Sequence, residues 1–169
     1  MIRFDPTGYW LSEKLDGARC FYDGHGNFIS RHGKIFTAPE WFAAGMPPHR
    51  LDGELYMGRD SFGSLVSTVQ RKGSDWQGVQ FHIFDLASPR QPIETRIAIL
   101  NGLSLPTHCH IVQHRLCTGI ADLDDTETSI VANGGEGICL RLPGSFYRPQ
   151  NYIKVKRLFP DIDRSVLDR

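Results

Sequence analysis

The sequence predicts an α+β domain with largely antiparallel sheets. Strand-like and helix-like segments are mixed without the regular strand–helix–strand repeat of parallel sheets. Two early strand-like segments are separated only by residues 23–27, where Gly24 and Gly26 favour a hairpin turn. With 169 residues, 40% of them hydrophobic, the chain is long enough for one domain with a sizeable core.

Seven segments have the composition of strands. Residues 79–86 are the clearest case, because their alternation places Phe81 and Ile83 on one face and Phe84 on the other. The same alternation predicts a core strand with Phe84 turned away from the core. The other six strand-like segments are residues 9–13, 19–22, 28–30, 51–57, 137–142 and 152–155.

Three segments predict helices. The first follows Asp60 or Ser61, either of which can cap it, and its apolar positions share one helical face: Phe62, Leu65, Val66 and Val69. Pro92 suits the first turn of a second helix, whose apolar positions are Ile93, Ile97 and Leu100. A third helix is expected from about residue 121 to 133, with Gly134 as its stop signal.

Composition limits the class of protein. No run of 18 apolar residues is present, which argues against a transmembrane helix, and the first residues lack the apolar core of a signal peptide. The four cysteines form no C-x-x-C pair, so we expect reduced thiols in a cytoplasmic monomer and no structural zinc site. The seven histidines show no metal-ligand spacing and are interpreted as surface or strand histidines.

Charge is unevenly distributed although its formal sum is zero. Residues 141–157 contain five basic side chains and no acidic one, whereas residues 122–127 contain four acidic side chains and no basic one. Two solvated surfaces of opposite sign would explain this pattern. A phosphate-binding strip near the C-terminal end would explain it equally well.

The most informative stretch is residues 14–19, Lys-Leu-Asp-Gly-Ala-Arg, which follows an apolar run. A lysine acts as a nucleophile only through its neutral amine, which burial or a neighbouring cation favours. Taken alone, the stretch also fits a surface lysine in a polar turn.

Five further segments follow in order and give these residues a context. They are Ser-Arg-His-Gly-Lys at 30–34, Leu-Asp-Gly-Glu-Leu at 51–55, Phe-Asp at 84–85, Glu-Gly-Ile-Cys-Leu-Arg at 136–141 and Lys-Val-Lys at 154–156. Together with residues 14–19 they resemble motifs I, Ia, III, IIIa, IV and V of the covalent nucleotidyltransferases. The resemblance is greatest to the small bacterial ATP-dependent DNA ligases, through residues 12–17, 38–42, 51–55 and 134–137.

The resemblance implies an ATP-grasp-like nucleotidyltransferase core and a function for each motif. Lys14 would attack the α-phosphate of ATP and carry AMP, while Asp16 would help to hold the local structure. Arg19 and Arg31 would clamp the nucleotide ribose or the nick phosphate, since guanidinium groups suit phosphate oxygens. Nucleic acid would contact these two arginines and Arg141.

The remaining motif residues would bind nucleotide or metal. Glu54 would contact the nucleotide and, with Glu136, hold Mg²⁺ (or Mn²⁺), which neutralises charge on the reacting phosphates. Phe84 would stack on adenine, and the carbonyl or side chain of Glu13 would read the adenine amine. Lys154 and Lys156 are two residues apart on a predicted strand, so both point to one face, where an anion such as triphosphate would offset their charge.

The resemblance implies an ATP-dependent ligase core that seals nicked duplex DNA in replication, repair and recombination. We expect this domain to span residues 1–158. Residues 159–169 resemble the start of a linker to an OB-fold. We expect this chain to be the core without that OB-fold, and a partner to supply its function. Two alternatives stay open: an RNA ligase or capping-type nucleotidyltransferase, and a nick-binding module that no longer seals.

Overall fold

The computed structural model describes residues 5–156 and contains two sheets within them. The first sheet has the strand order β7-β1-β8-β9, and the second has the order β3-β2-β4-β5-β6. The strands are β1 (Trp10–Lys14), β2 (Ala18–Tyr22), β3 (Phe28–Ser30), β4 (Leu51–Tyr56), β5 (Gln80–Leu86), β6 (Cys109–Ile111), β7 (Arg115–Leu116), β8 (Gly137–Arg141) and β9 (Ile153–Val155).

Four helices accompany the sheets in the described part of the chain: α1 (Glu40–Ala43), α2 (Phe62–Gln70), α3 (Ile93–Asn101) and α4 (Ile120–Ala132). The three predicted helices are confirmed as α2, α3 and α4. Ser61 and Pro92 occupy the N-cap positions of α2 and α3, but neither makes a capping side-chain hydrogen bond. The one-turn α1 is too short to show a helical period.

The predicted α+β class with largely antiparallel sheets is confirmed. Every described strand pair is antiparallel except β5 with β6. All seven predicted strands are present, each within a residue or so of its expected ends. The short β6 and β7 were not predicted from sequence, because two or three residues cannot establish an alternation.

Each sheet has its own hydrophobic core. The larger core lies on one face of the second sheet, and its fully buried side chains include Phe28, Phe42, Trp76 and Phe81. The smaller one lies between the first sheet and α4, around Leu123 and Ile138. Burying apolar surface on these two faces leaves the remaining faces of the sheets for polar residues.

A β-bulge interrupts the pairing of β4 with β5. Asp52 is opposite Asp85, but the next residue, Gly53, is opposite Ile83, so Phe84 has no partner on β4. A side chain at position 53 would not fit, because its Cβ atom would lie 2.7 Å from the Phe81 ring. Bulges of this kind redirect side chains locally.

The segment between β8 and β9, residues 142–152, leaves the first sheet, contacts α3 and the second sheet, and returns to the first sheet, and we call it the strap. Its Gly144 amide donates to Glu94 on α3 (2.9 Å), and Phe146 bridges to Pro92. No described helix is long and apolar enough to cross a membrane. The expected domain boundary at 158 and the tail 159–169 lie outside the described residues.

Candidate active site

A cavity of about 1480 Å³ is lined by residues of both sheets and of the strap. Ser12, Lys14 and Cys139 line it from the first sheet, whereas Glu54 and Phe84 line it from the second. Eight of the predicted site residues line this one cavity: Glu13, Lys14, Arg19, Arg31, Glu54, Phe84, Arg141 and Lys154. The remaining two are connected to it through Lys14, because Glu136 forms an ion pair with Lys14 and Lys156 forms one with Glu136.

Lys14 lies at the end of β1, and its amine donates a short hydrogen bond to Glu136. The other oxygen of the Glu136 carboxylate forms an ion pair with Lys156. We call these three residues the lysine cluster. It follows from strand pairing, because β8, which begins after Glu136, lies between β1 and β9. Burial and the nearby Lys14 charge lower the pKa of Lys156.

Lys154 lies on β9 opposite Cys139, lines the cavity and is exposed. Its ammonium is 5.5 Å from the centre of the Tyr152 ring. Within residues 5–156 no carboxylate forms an ion pair with it. This leaves Lys154 as a cation available to an anionic ligand.

Glu54 is opposite Arg19 in the β2–β4 pair and is half-buried. Burial raises the pKa of Glu54 to about 7, although the charges of Arg19 and Lys14 and a hydrogen bond from the Gly17 amide act against it. A Cβ atom at position 17 would lie 2.7 Å from Cγ of Glu54. The glycine of the Lys-Leu-Asp-Gly stretch therefore makes room for the carboxylate.

Glu54 fits a hard cation better than Glu136 does. A carboxylate whose charge is opposed by burial gains from a bound divalent ion, and oxygen is the ligand that Mg²⁺ prefers. Both Glu136 oxygens are already engaged by lysines in this structure. No group of three or more metal-ligating side chains occurs among residues 5–156. A metal here would thus depend on Glu54 together with ligands from outside the protein.

Arg19 is held by its neighbours through four of its five N–H donors. Its Nε and one terminal nitrogen each donate to the Asp52 carboxylate at 2.6 Å, and that same nitrogen also donates to the Pro149 carbonyl at 3.0 Å. The other terminal nitrogen donates to the Tyr152 hydroxyl at 3.2 Å. Arginine has five such donors. One N–H donor of Arg19 remains for a ligand. The contact of Arg19 with a ribose or a phosphate stays a prediction, and this single donor would have to make it.

Phe84 is turned away from the core, as the strand alternation predicted, and lines the cavity. The guanidinium carbons of Arg19 and Arg141 lie 4.9 Å and 5.2 Å from its ring centre. Both arginines also lie within 6 Å of the Tyr152 ring. Adenine stacking on Phe84 stays a prediction, and it would take place beside two cations.

Arg141 and Arg31 have opposite environments although both were predicted to contact nucleic acid. Arg141 is only 5% exposed and donates to the Ser12 hydroxyl at 3.2 Å. A nucleic acid would therefore have to enter the cavity to reach it. Arg31 is exposed in the segment after β3, as is Asp16 after β1. Because Arg141 is buried, the basic residues between positions 141 and 156 do not form one continuous surface.

Sequence reasoning missed a buried network of charged and hydroxyl groups, here called the strap network. Asp52 is 1% exposed and accepts hydrogen bonds from Arg19 and from the Tyr147 hydroxyl (2.9 Å). Arg96, which is 2% exposed, donates to Asp85 at 2.7 Å and to the Ser145 carbonyl at 2.8 Å. Two aspartates inside otherwise apolar strands were the available signal, because buried carboxylates require partners.

Known proteins resemble this chain in sequence and in fold. No protein-family model matches the chain. A DNA ligase of Haemophilus influenzae is 27% identical over 156 residues, which are 89% of this chain and 58% of that protein. The chain thus spans about three fifths of this curated relative.

Solved structures share the fold. A structure from a study of DNA binding by Lig E DNA ligases has a TM-score of 0.85 and 31% identity, covering 92% of this chain and 64% of that one. The Chlorella virus DNA ligase-adenylate has a TM-score of 0.75 and 18% identity, covering 88% and 61%. At 18% identity the second likeness shows the fold alone. The ligase resemblance of the sequence is confirmed.

Proposed function

We propose that this chain, which has the sequence and fold of the nucleotidyltransferase domain of ATP-dependent DNA ligases, is the catalytic core of such a ligase and acts on nicked duplex DNA. One observation carries the proposal. Lys14 shares a cavity with half-buried Glu54 and with Lys154. Its amine contacts the carboxylate of Glu136, and within residues 5–156 that carboxylate is the only one that forms an ion pair with Lys156. Such a set suits transfer of a nucleotide to a lysine.

In the first step the Lys14 amine would attack the α-phosphorus of ATP. A phosphorus–nitrogen bond forms, the bond to pyrophosphate breaks, and the lysine loses a proton. Glu136 contacts the Lys14 amine, so it is positioned to take that proton. Lys156 would then keep the Glu136 side chain in place.

Cationic side chains would offset the charge of the triphosphate. Lys154 is exposed to the cavity and Lys156 is held beside Lys14. Positioned cations stabilise charge that develops on phosphate oxygens in the transition state. Mg²⁺, bound by Glu54, would supply further neutralisation of these oxygens, and Mn²⁺ has the same preference for oxygen ligands.

In the later steps AMP would pass from Lys14 to the 5′-phosphate of the nick. The 3′-hydroxyl would then attack that phosphate and release AMP. Exposed Arg31 could hold the nick phosphate at the cavity entrance. Contacts to the DNA backbone would make binding sensitive to salt and indifferent to sequence.

The first test is transfer of radiolabel from α-labelled ATP to the protein in the presence of Mg²⁺, followed by denaturing electrophoresis. We expect label on the wild type and none on Lys14→Ala. Lys72→Ala is the matched control, because Lys72 is exposed and does not line the cavity. Equal label on the Lys14→Ala variant would exclude the covalent mechanism.

The second test separates the substrate classes. Matched DNA and RNA nicks are offered with ATP or with GTP, and a pre-adenylated DNA nick is offered without nucleotide. We expect sealing of DNA with ATP and of the pre-adenylated nick. Preference for RNA or GTP would indicate an RNA ligase or capping-type enzyme. Failure on the pre-adenylated nick would indicate a binding module that needs a partner.

A further inference from the structure

Arg59 links the two sheets at the end of the cavity where Lys14 lies. It belongs to the segment between β4 and α2, and its guanidinium forms an ion pair with Glu13 of β1. Arg59 does not itself line the cavity. Whatever it does for the site must therefore act through the residues that it contacts.

Arg59 also covers the glycine turn that leads into β8. A Cβ atom at Gly135 would lie 2.9 Å from the Arg59 guanidinium and 3.0 Å from the Glu13 carboxylate, and one at Gly134 would lie 3.9 Å from the Arg59 stem. The ion pair thus rests directly on the turn. Both contacts are next in the chain to a reacting residue: Glu13 precedes Lys14, and Gly135 precedes Glu136.

The alternation of side chains along the strand explains why the Glu13 carboxylate needs a partner other than Lys14. Neighbouring residues of a strand point to opposite faces, so the Glu13 carboxylate diverges from the Lys14 amine. Arg59 fixes the carboxylate in that position. Without Arg59 the carboxylate would be free to reorient, and the glycine turn would lose the group that covers it.

We propose that Arg59 is a positioning residue for the first chemical step, because it fixes Lys14 and Glu136 relative to each other through Glu13 and the glycine turn. This inference rests on the proposed function. It assigns to Arg59 a role in attack on ATP and no direct contact with ATP.

The experiment measures the rate of lysine adenylation at saturating ATP, the KM for ATP and the thermal unfolding midpoint. For Arg59→Met we expect the saturated rate to fall about tenfold or more, because small misplacements of reacting groups are costly. KM should change by a smaller factor than the saturated rate, since Arg59 does not line the cavity and would reach ATP only through Glu13, the predicted adenine contact. The midpoint should change little, because exposed ion pairs add little stability.

Two further variants sharpen the test. Arg59→Lys retains the charge but not the fork-shaped guanidinium, so it should recover part of the lost rate. Arg115→Met breaks a comparable exposed ion pair, with Asp122, neither of which lines the cavity, and should leave rate and KM unchanged.

Three results would overturn the inference: a wild-type rate in Arg59→Met, a raised KM with an unchanged saturated rate, or an equal loss in Arg115→Met. Absence of label on the wild-type protein would instead count against the proposed function. The two failures are therefore distinguishable in one set of assays.

Discussion

The lysine cluster and the strap network border the same cavity, yet they differ in burial and in charge matching. In the lysine cluster two ammonium groups share one carboxylate, and the side chains of Lys14 and Glu136 are 17% and 18% exposed. In the strap network Asp52 and Arg96 are almost fully buried, whereas the Arg19 side chain is 16% exposed, and each guanidinium meets a carboxylate together with a backbone carbonyl.

This difference separates groups that can react from groups that hold the fold. A buried ion pair cannot release one partner without leaving a charge unsatisfied. The lysine cluster has an excess cation and access to water, so an incoming triphosphate can replace one of its contacts. Under the proposed function, similar residue types would serve reaction in one place and support in the other.

Breaking the strap network should have the largest effect on stability. Asp52→Asn removes the carboxylate that Arg19 and Tyr147 share, which leaves a mostly buried cation unpaired. We expect the free energy of unfolding to fall by about 3–5 kcal/mol, measured by urea denaturation. A loss below about 1 kcal/mol, typical of an exposed pair, would remove the contrast between the two regions.

Breaking the lysine cluster should instead affect the reaction. Glu136→Gln removes the carboxylate that holds Lys14 and Lys156, so the rate of label transfer from ATP should fall about 100-fold. The free energy of unfolding should change by less than about 1 kcal/mol, because the residues are partly exposed. A large loss of stability would show that the cluster supports the fold as the strap network does.

Glu54 gives a prediction that depends on pH. Its pKa is about 7 in the folded protein and 4.5 without the fold, so the folded state binds more protons between these values. The stabilisation is present below pH 4.5 and is lost as the pH rises through 7. Relative to Glu54→Gln, the wild type should lose roughly 2 kcal/mol of unfolding free energy between pH 5 and pH 8.

The measurement is urea unfolding of both proteins at the two pH values, with and without Mg²⁺. Mg²⁺ should restore stability to the wild type at pH 8, where the carboxylate is ionised, and have less effect on Glu54→Gln. Parallel pH curves for the two proteins would contradict the raised pKa. Equal stabilisation of both by Mg²⁺ would place the ion elsewhere.

The smallest effect concerns the strap hydroxyls. Burial and the Asp52 charge raise the pKa of Tyr147, so its hydroxyl remains a donor to Asp52. Tyr147→Phe should reduce the free energy of unfolding by about 1 kcal/mol, because Asp52 keeps Arg19 as a partner. Tyr152→Phe, which removes a longer bond to Arg19, should cost less in the same assay. A larger loss of unfolding free energy for Tyr152→Phe than for Tyr147→Phe would show that Tyr147 does not hold the strap in place.

Sequence reasoning predicted the features that follow from a local period of apolar residues or from the motifs of a family. The helices after Ser61 and Pro92 and the outward position of Phe84 followed from periodicity, and the motif residues around Lys14 followed from resemblance. The Arg19–Asp52 pair and the Arg59–Glu13 pair could not be predicted, because each depends on how separate strands or loops meet. The β-bulge could not be predicted either, because it arises where two paired strands contribute unequal numbers of residues.

Because of that bulge, the shape of one wall of the cavity depends on the number of residues in β5. Phe84 faces the cavity as the surplus residue of β5, and Asp85 beside it meets Arg96 and Arg141. Shortening β5 by one residue at this point would restore an even ladder with β4 while removing the aromatic surface. A relative with that deletion would keep the sheet and have a differently shaped cavity, so divergence here would proceed by insertion and deletion as well as by substitution.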